Sequence, residues 1–316
     1  MESKLQPLVN LLLSEINELG QSGNRPVNAS ALFAHFAFDA MGIINVSEPF
    51  GFLQKRSDVS GAIQAIDMAN TYFSVIAQAP WMHGFLLGNR VAAKAMADQN
   101  PVLNMALAMV DKRLAAGTAN EKNAAGGGTD FLGRLLETNS SSSSKGATPL
   151  RYEQIVSLVL ANTMAGYATV AIATRSILYL LARHPKVYAR LQQELDTAVE
   201  SGTFTHPPPN HAVAEAAKLP YLDAVIVEAL RVHPVLGLIL EREVPEGGAE
   251  LAGRHIPEGT IVGFNPWVIL HNRDVYGEDA DVFRPERWLE ADEARLKEMK
   301  RCNISVSPSS SAFFEA

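Results

Sequence analysis

The apolar positions recur at helical spacing over most of the chain. Leu5, Leu8, Val9, Leu12, Leu13, Ile16 and Leu19 form one stripe, interrupted by Glu2, Lys4, Glu15 and Glu18. That pattern predicts an amphipathic first helix, without the unbroken apolar run of a signal or anchor segment. Residues 27–44 predict a second helix, with Asn28 or Ser30 as its cap and a stripe of Leu32, Phe33, Phe36, Ala40 and Ile43. Helices follow over 58–76, 100–114, 131–136, 153–183 and 186–200. The 153–183 stretch is the longest, and residues 154–174 carry no charge. Its length would span a bilayer, but Gln154, Ser157, Asn162, Thr163, Gly166, Thr169 and Thr174 fit a central helix enclosed by protein better. Arg190 and Glu194 stand at i, i+4 on the next helix and predict a pair.

Residues 218–231, KLPYLDAVIVEALR, predict a buried helix opened by Pro220 and stopped by Pro234. After it the helical period gives way to short strands around residues 250–262, joined by Pro- and Gly-bearing turns. The fold class expected is mainly α with a small β region. Residues 117–128 and 139–147, rich in glycine and serine, predict surface loops.

Composition narrows the function classes. The 316 residues include 27 basic and 34 acidic side chains, a net charge of −7, with no basic cluster to favour nucleic acid. Cys302 is the single cysteine, which excludes an intrachain disulfide and any multi-cysteine metal site.

Glu228 and Arg231 lie three positions apart on one helical face, flanked by Val225, Ile226, Val227, Ala229 and Leu230. A buried pair there needs further hydrogen-bond partners, because desolvating two charges is expensive. Arg287 can bridge Glu228 and nearby carbonyls with its planar fork. Glu228-Ala229-Leu230-Arg231 followed by Phe283-Arg284-Pro285-Glu286-Arg287-Trp288 resembles the E-x-x-R and P-E-R motifs of the cytochrome P-450 haem-thiolate monooxygenases. The text between resembles the fungal, pisatin demethylase-like members: Arg231-Val232-His233-Pro234, Ile256-Pro257-Glu258-Gly259-Thr260, Asn265-Pro266-Trp267 and His271-Asn272-Arg273-Asp274. Ala165-Gly166-Tyr167-Ala168-Thr169 is similar to the family's A-G-x-(acid)-Thr motif, with Ala168 in place of the acid.

The resemblance implies a haem b cofactor and a monooxygenase reaction on a small apolar substrate in fungal secondary metabolism. It implies NADPH-cytochrome P-450 reductase as electron donor and the endoplasmic reticulum membrane as the usual location. Thr169 would be catalytic in proton delivery. Ala165, Gly166 and Arg242 would lie near the haem, and Glu228, Arg231 and Arg287 would form a structural triad. Substrate contacts would come from residues 81–87, the Ala165 region and residues 235–239.

The family's iron ligand is the Cys of Phe-x-x-Gly-x-Arg-x-Cys-x-Gly. Aligning Cys302 on it puts Arg295, Glu298, Lys300 and Ile304 on the Phe, Gly, Arg and Gly, and only Lys300 is similar. Cys302 is therefore expected as a free thiol rather than a ligand. The expectation is a partial domain over residues 1–301, clipped at both ends, followed by a divergent Ser-rich tail over 302–316. Such a chain would be inactive alone, and a non-enzymatic helical remnant or haem-free binding protein is the alternative.

Overall fold

The computed structural model describes residues 2–21, 23–88, 100–116, 130–144, 149–205 and 212–303. The expected loop at 117–128 and the tail beyond Asn303 lie outside the described residues. The chain divides into two compact units, residues 1–171 and 172–316.

The first unit is helical. It holds α1 (Glu2–Gly20), α2 (Ala29–Val46), the short α3 (Phe52–Lys55), α4 (Ala62–Ile76), α5 (Pro101–Ala116), α6 (Phe131–Ser144) and the first part of α7 (Tyr152–Arg183). Asn28 caps α2, its side chain accepting from the Ala31 N–H at 3.2 Å. One α2 face packs Leu32, Ala40 and Ile43 against Leu8 and Leu12 of α1. Another buries Ala37, Phe38 and Met41 against Phe52, Ile66, Val102, Tyr167 and Ala171. A helix enclosed on two sides is apolar nearly all round. This explains why α2, like α7, is long and apolar enough to cross a membrane by length and composition while its side chains fill protein cores.

Buried polar groups fix the joints of this unit. Asp39 accepts from the N–H groups of Gly51 (2.7 Å), Phe52 (3.1 Å) and Leu53 (2.9 Å), so an α2 carboxylate caps α3. Asn45 donates to Thr163 at 2.8 Å and accepts from Asn162 at 2.6 Å, tying α2 to α7. Asp130 accepts from Ser47 (2.6 Å), Arg113 (2.7 Å) and the Gly133 N–H (2.9 Å) at the start of α6. These bonds hold its carboxyl below the usual range although burial pushes the other way.

The sequence predicts a loop from residue 139, but α6 continues through Ser144. Once a helix is nucleated, adding a serine costs only a few tenths of a kcal/mol relative to the best formers. Asn139 closes the segment by exchanging bonds with the Leu150 backbone at 3.2 and 2.5 Å.

The second unit contains the end of α7, then α8 (Pro185–Glu200), α9 (Ala212–Ala216), α10 (Pro220–Val232), four short strands, α11 (Pro266–Leu270), α12 (Arg273–Tyr276), α13 (Arg287–Glu290) and α14 (Glu293–Cys302). Strands β1 (Leu240–Glu243) and β4 (Ile261–Phe264) pair antiparallel, with Leu240 opposite Phe264. Strands β2 (Ala249–Leu251) and β3 (Arg254–Ile256) form a tight hairpin. Its turn residues Ala252 and Gly253 both take positive φ, +49° and +71°, as a two-residue hairpin of matching twist requires. The alternation of Leu240–Glu243 is too short to be legible, and β1 is missing from the sequence expectation.

Helix α10 is the centre of this unit. Tyr221, Val225 and Ala229 pack on Leu180, Val187, Leu191 and Phe283. Ala224 packs on the other side with Leu270, Tyr276, Ala280, Trp288 and Met299. Glu228 and Arg231 are carried into the interior with these apolar neighbours.

Candidate functional site

Glu228 and Arg231 are both fully buried, and Arg287 is 3% exposed. Three charges at that depth require a closed set of partners, and the structure supplies one. Arg231 forks onto Glu228, with Nε to Oε2 and Nη2 to Oε1 both at 2.9 Å. Its Nη1 donates to the Leu270 carbonyl at 2.7 Å, and Nη2 reaches the Val282 carbonyl at 3.3 Å. Arg287 Nε donates to Glu228 Oε1 at 2.9 Å. Its other nitrogens donate to the carbonyls of Tyr276 (2.5 Å), Asp279 (2.9 Å) and Val282 (3.2 Å) and to the Asp279 carboxylate (3.0 Å).

Two further donors complete Glu228. Trp288 Nε1 donates to Oε2 at 2.9 Å, and the Arg284 N–H to Oε1 at 3.0 Å. Burial pushes the Glu228 carboxyl up, but the bonds and charge of Arg231, with Arg287 and the Arg284 N–H, hold it below the ordinary carboxylate value. The network thus joins α10 to α11, to the 276–284 turn and to α13. Arg284 and Trp288 stand in the quoted motif without an assigned role, and Asp279 lies outside it. The only signal for Trp288 was its place directly after Arg287.

A second cluster borders it. The expected Arg190–Glu194 pair on α8 does not form. Both oxygens of Glu194 instead accept from the N–H groups of Tyr221 (2.8 Å) and Leu222 (2.9 Å) and cap the start of α10. Arg190 turns to Glu286 at 2.9 Å and lies 4.4 Å from the centre of the Tyr221 ring. Tyr221 also donates to Glu286 at 2.7 Å. The docking of α8 on α10 offers each charge a better partner than its helical neighbour.

On α7, in the first unit, Thr169 and Ala165 share a face one turn apart. The Thr169 hydroxyl donates to the Ala165 carbonyl at 2.9 Å. Gly166 faces Met41 of α2: a Cβ there would overlap the Met41 sulfur and methyl. Gly166 thus sits at a close approach of α7 to α2, while Ala165 is exposed and Thr169 partly so. Gly166→Ala should cost about 1–3 kcal/mol by overpacking. The cost should be less than additive with Met41→Ala in a double-mutant cycle read by urea denaturation. Additive costs would show that the two residues do not touch.

Arg242 lies exposed on β1 in the second unit and donates to its neighbour, the Glu241 carbonyl, at 2.7 Å. The apolar residues expected to contact substrate are largely exposed within their own units: Trp81, Phe85 and Leu86 in the first, Leu236, Leu238 and Ile239 in the second. Among the described residues no group of three or more His, Cys, Asp or Glu side chains could hold a metal ion.

Cys302 ends α14. It is partly buried and packs against the cluster of Ala224, Leu270, Tyr276, Trp288 and Met299. Burial pushes its thiol above the ordinary value, Arg301 opposing and Glu298 adding to the shift. A helix C-terminus also disfavours a thiolate, the reverse of the N-terminal positions that activate cysteines.

The comparisons agree with this architecture. The family model for cytochrome P450 matches residues 1–307. A cytochrome P450 monooxygenase of Aspergillus flavus is 33% identical over 310 residues, covering 96% of this chain and 58% of that protein. Pisatin demethylase of Fusarium vanettenii is 36% identical over 265 residues, covering 82% of this chain and 48% of the enzyme. A monooxygenase of Penicillium aethiopicum is 33% identical over 279 residues, 87% of this chain and 53% of its own length. The chain belongs to the cytochrome P450 family. It spans about half the length of the curated relatives it matches.

The family's cofactor is haem, held through an axial thiolate. The residues of this chain do not fit that ligation. The one thiol in the sequence, Cys302, lies partly buried against a hydrophobic cluster at the C-terminus of α14, and burial pushes it above the ordinary thiol value.

Proposed function

We propose that this chain forms the helical scaffold of a fungal haem-dependent monooxygenase of secondary metabolism. It would oxidise a small apolar substrate with electrons from NADPH through cytochrome P-450 reductase. The observation that carries the reading is the closed Glu228–Arg231–Arg287 network, built from the two motifs that resemble the family's. These three residues act as structure, holding α10 and α13 in one body. Thr169 is the proton-delivery candidate and Ala165 its neighbour on the open face of α7. Arg242, an exposed cation on β1, would meet a haem propionate.

The chain alone does not form a competent haem-thiolate centre, because Cys302 is a packing thiol. The test is the absorption spectrum of purified chain titrated with haem, then reduced under carbon monoxide. One haem should bind per folded chain, without the red-shifted Soret band of a thiolate ligand. Folded chain that takes up no haem would remove the haem-scaffold reading. A thiolate-type band that disappears in Cys302→Ala would instead remove the claim about the ligand.

A further inference from the structure

In the first unit, away from α7's open face, a cleft of about 320 Å³ lies between the end of α2 with its following turn and helix α5. Its walls are apolar: Val46, Pro49 and Phe50 on one side, Met105 and Met109 on the other. Two methionines make an adaptable lining, since the unbranched thioether fits varied shapes. At about 30 Å³ per atom, the share of one water in the liquid, the cleft takes roughly ten non-hydrogen atoms.

The charges sit at one end. Arg113 is fixed: it donates to the Asp130 carboxylate at 2.7 Å and to the Val46 carbonyl at 3.3 Å. Lys112 pairs with Glu48 across the mouth, and both side chains are well exposed, 69% and 60%. An exposed pair of this kind contributes little and exchanges partners readily. Asp130 neutralises Arg113, so the lining presents one exposed cation, Lys112, with the displaceable Glu48 carboxylate as its partner, beside an apolar floor. A ligand cation would be repelled by Lys112, and a neutral hydroxyl would accept from it only a weaker hydrogen bond than a carboxylate does. A carboxylate can replace Glu48 on Lys112 in a charge-assisted hydrogen bond.

The geometry points to a binding site for a small amphipathic monocarboxylate, its chain among Val46, Phe50, Met105 and Met109 and its head on Lys112. The site is independent of the haem reading, since none of its residues lies on α7.

The probe is octanoate, which has ten non-hydrogen atoms, observed through the methionine methyl signals of the full chain by NMR. Octanoate should shift two of these signals saturably, with a dissociation constant of about a millimolar or tighter. Octan-1-ol should bind about fivefold more weakly, because it lacks the charge that meets Lys112. Lys112→Gln should bring octanoate down to the affinity of the alcohol. Ala108→Phe changes an exposed residue of the lining and should fill the cleft, weakening octanoate about tenfold or more. The proposal fails if no signal shifts, if Ala108→Phe leaves binding unchanged, or if the alcohol binds as well as the acid. Exposed positions 108 and 112 bear on no core contact, so both variants can be read in folded protein.

Discussion

Glu228→Ala should destabilise the second unit by about 3–5 kcal/mol, the cost of leaving a buried charge without its partner. Against a total stability of about 5–15 kcal/mol for an ordinary domain, such a loss brings the unit close to unfolding. The physical reason is the number of groups left behind. Arg231 loses both arms of its fork, Arg287 loses its Nε partner, and Trp288 Nε1 and the Arg284 N–H lose their acceptors. Arg231, Arg287 and Trp288 are buried, so these donors are left without ready access to water. Glu228→Gln keeps the shape and part of the bonding but removes the charge that offsets two guanidinium groups, so it should fall between wild type and alanine. Arg287→Lys should also be costly. A single ammonium cannot serve Glu228, Asp279 and the carbonyls of Tyr276 and Val282 together. Urea denaturation followed by tryptophan fluorescence measures all three, with Trp288 inside the network. A midpoint unchanged in Glu228→Ala would mean the network contributes nothing net.

The same carboxylate gives the pH dependence its sign. The folded pKa of Glu228 lies below the ordinary value of 4.5. Its contribution is therefore complete above about pH 4.5 and is lost as the pH falls through the folded pKa. Asp279 is shifted the same way, its bonds to Arg287 and Arg284 outweighing burial. The stability gap between wild type and Glu228→Gln should be constant near neutrality and shrink below about pH 4.5. A gap that widened on acidification would contradict the assigned charge state.

Much of this centre is legible in the sequence because its parts announce themselves locally. Glu228 and Arg231 share a helical face, and Arg287 sits in a six-residue motif. What is not legible is set by docking between elements distant in sequence. Nothing in the text of α8 says that Glu194 will cap α10 or that Arg190 will prefer Glu286. Strand β1 exists through its pairing with β4, not through a pattern of its own. That Met41 of α2 packs tightly on Gly166 is equally absent from the motif. The partial burial of Cys302 likewise comes from the docking of α14 on the cluster of Tyr276, Trp288 and Met299.

Helix α2 shows the same effect, and its central ring carries the other large expected loss. The spacing of Leu32, Phe33, Phe36, Ala40 and Ile43 marks one stripe, yet Phe33 and Phe36 are only partly buried. The apolar residue of α2 with no exposure is Phe38, on the second apolar face that a single-stripe reading passes over. Its ring stacks on Phe52 with centroids 4.3 Å apart, tilts against Tyr167 at 4.7 Å and meets the edge of Phe50 at 5.9 Å. One side chain thereby holds α2 to α3 and α7. Phe38→Ala should cost the first unit about 3–5 kcal/mol, transfer and cavity terms together. Each aromatic pair that is lost adds about 0.5–1.5 kcal/mol to its area term, which places the result toward the upper end. Phe38→Leu retains much of the volume and should cost about half as much. Denaturation curves of the two variants give both numbers. A loss under about 1 kcal/mol for the alanine variant would show that the neighbours collapse into the space, and that the ring is not what joins the three helices.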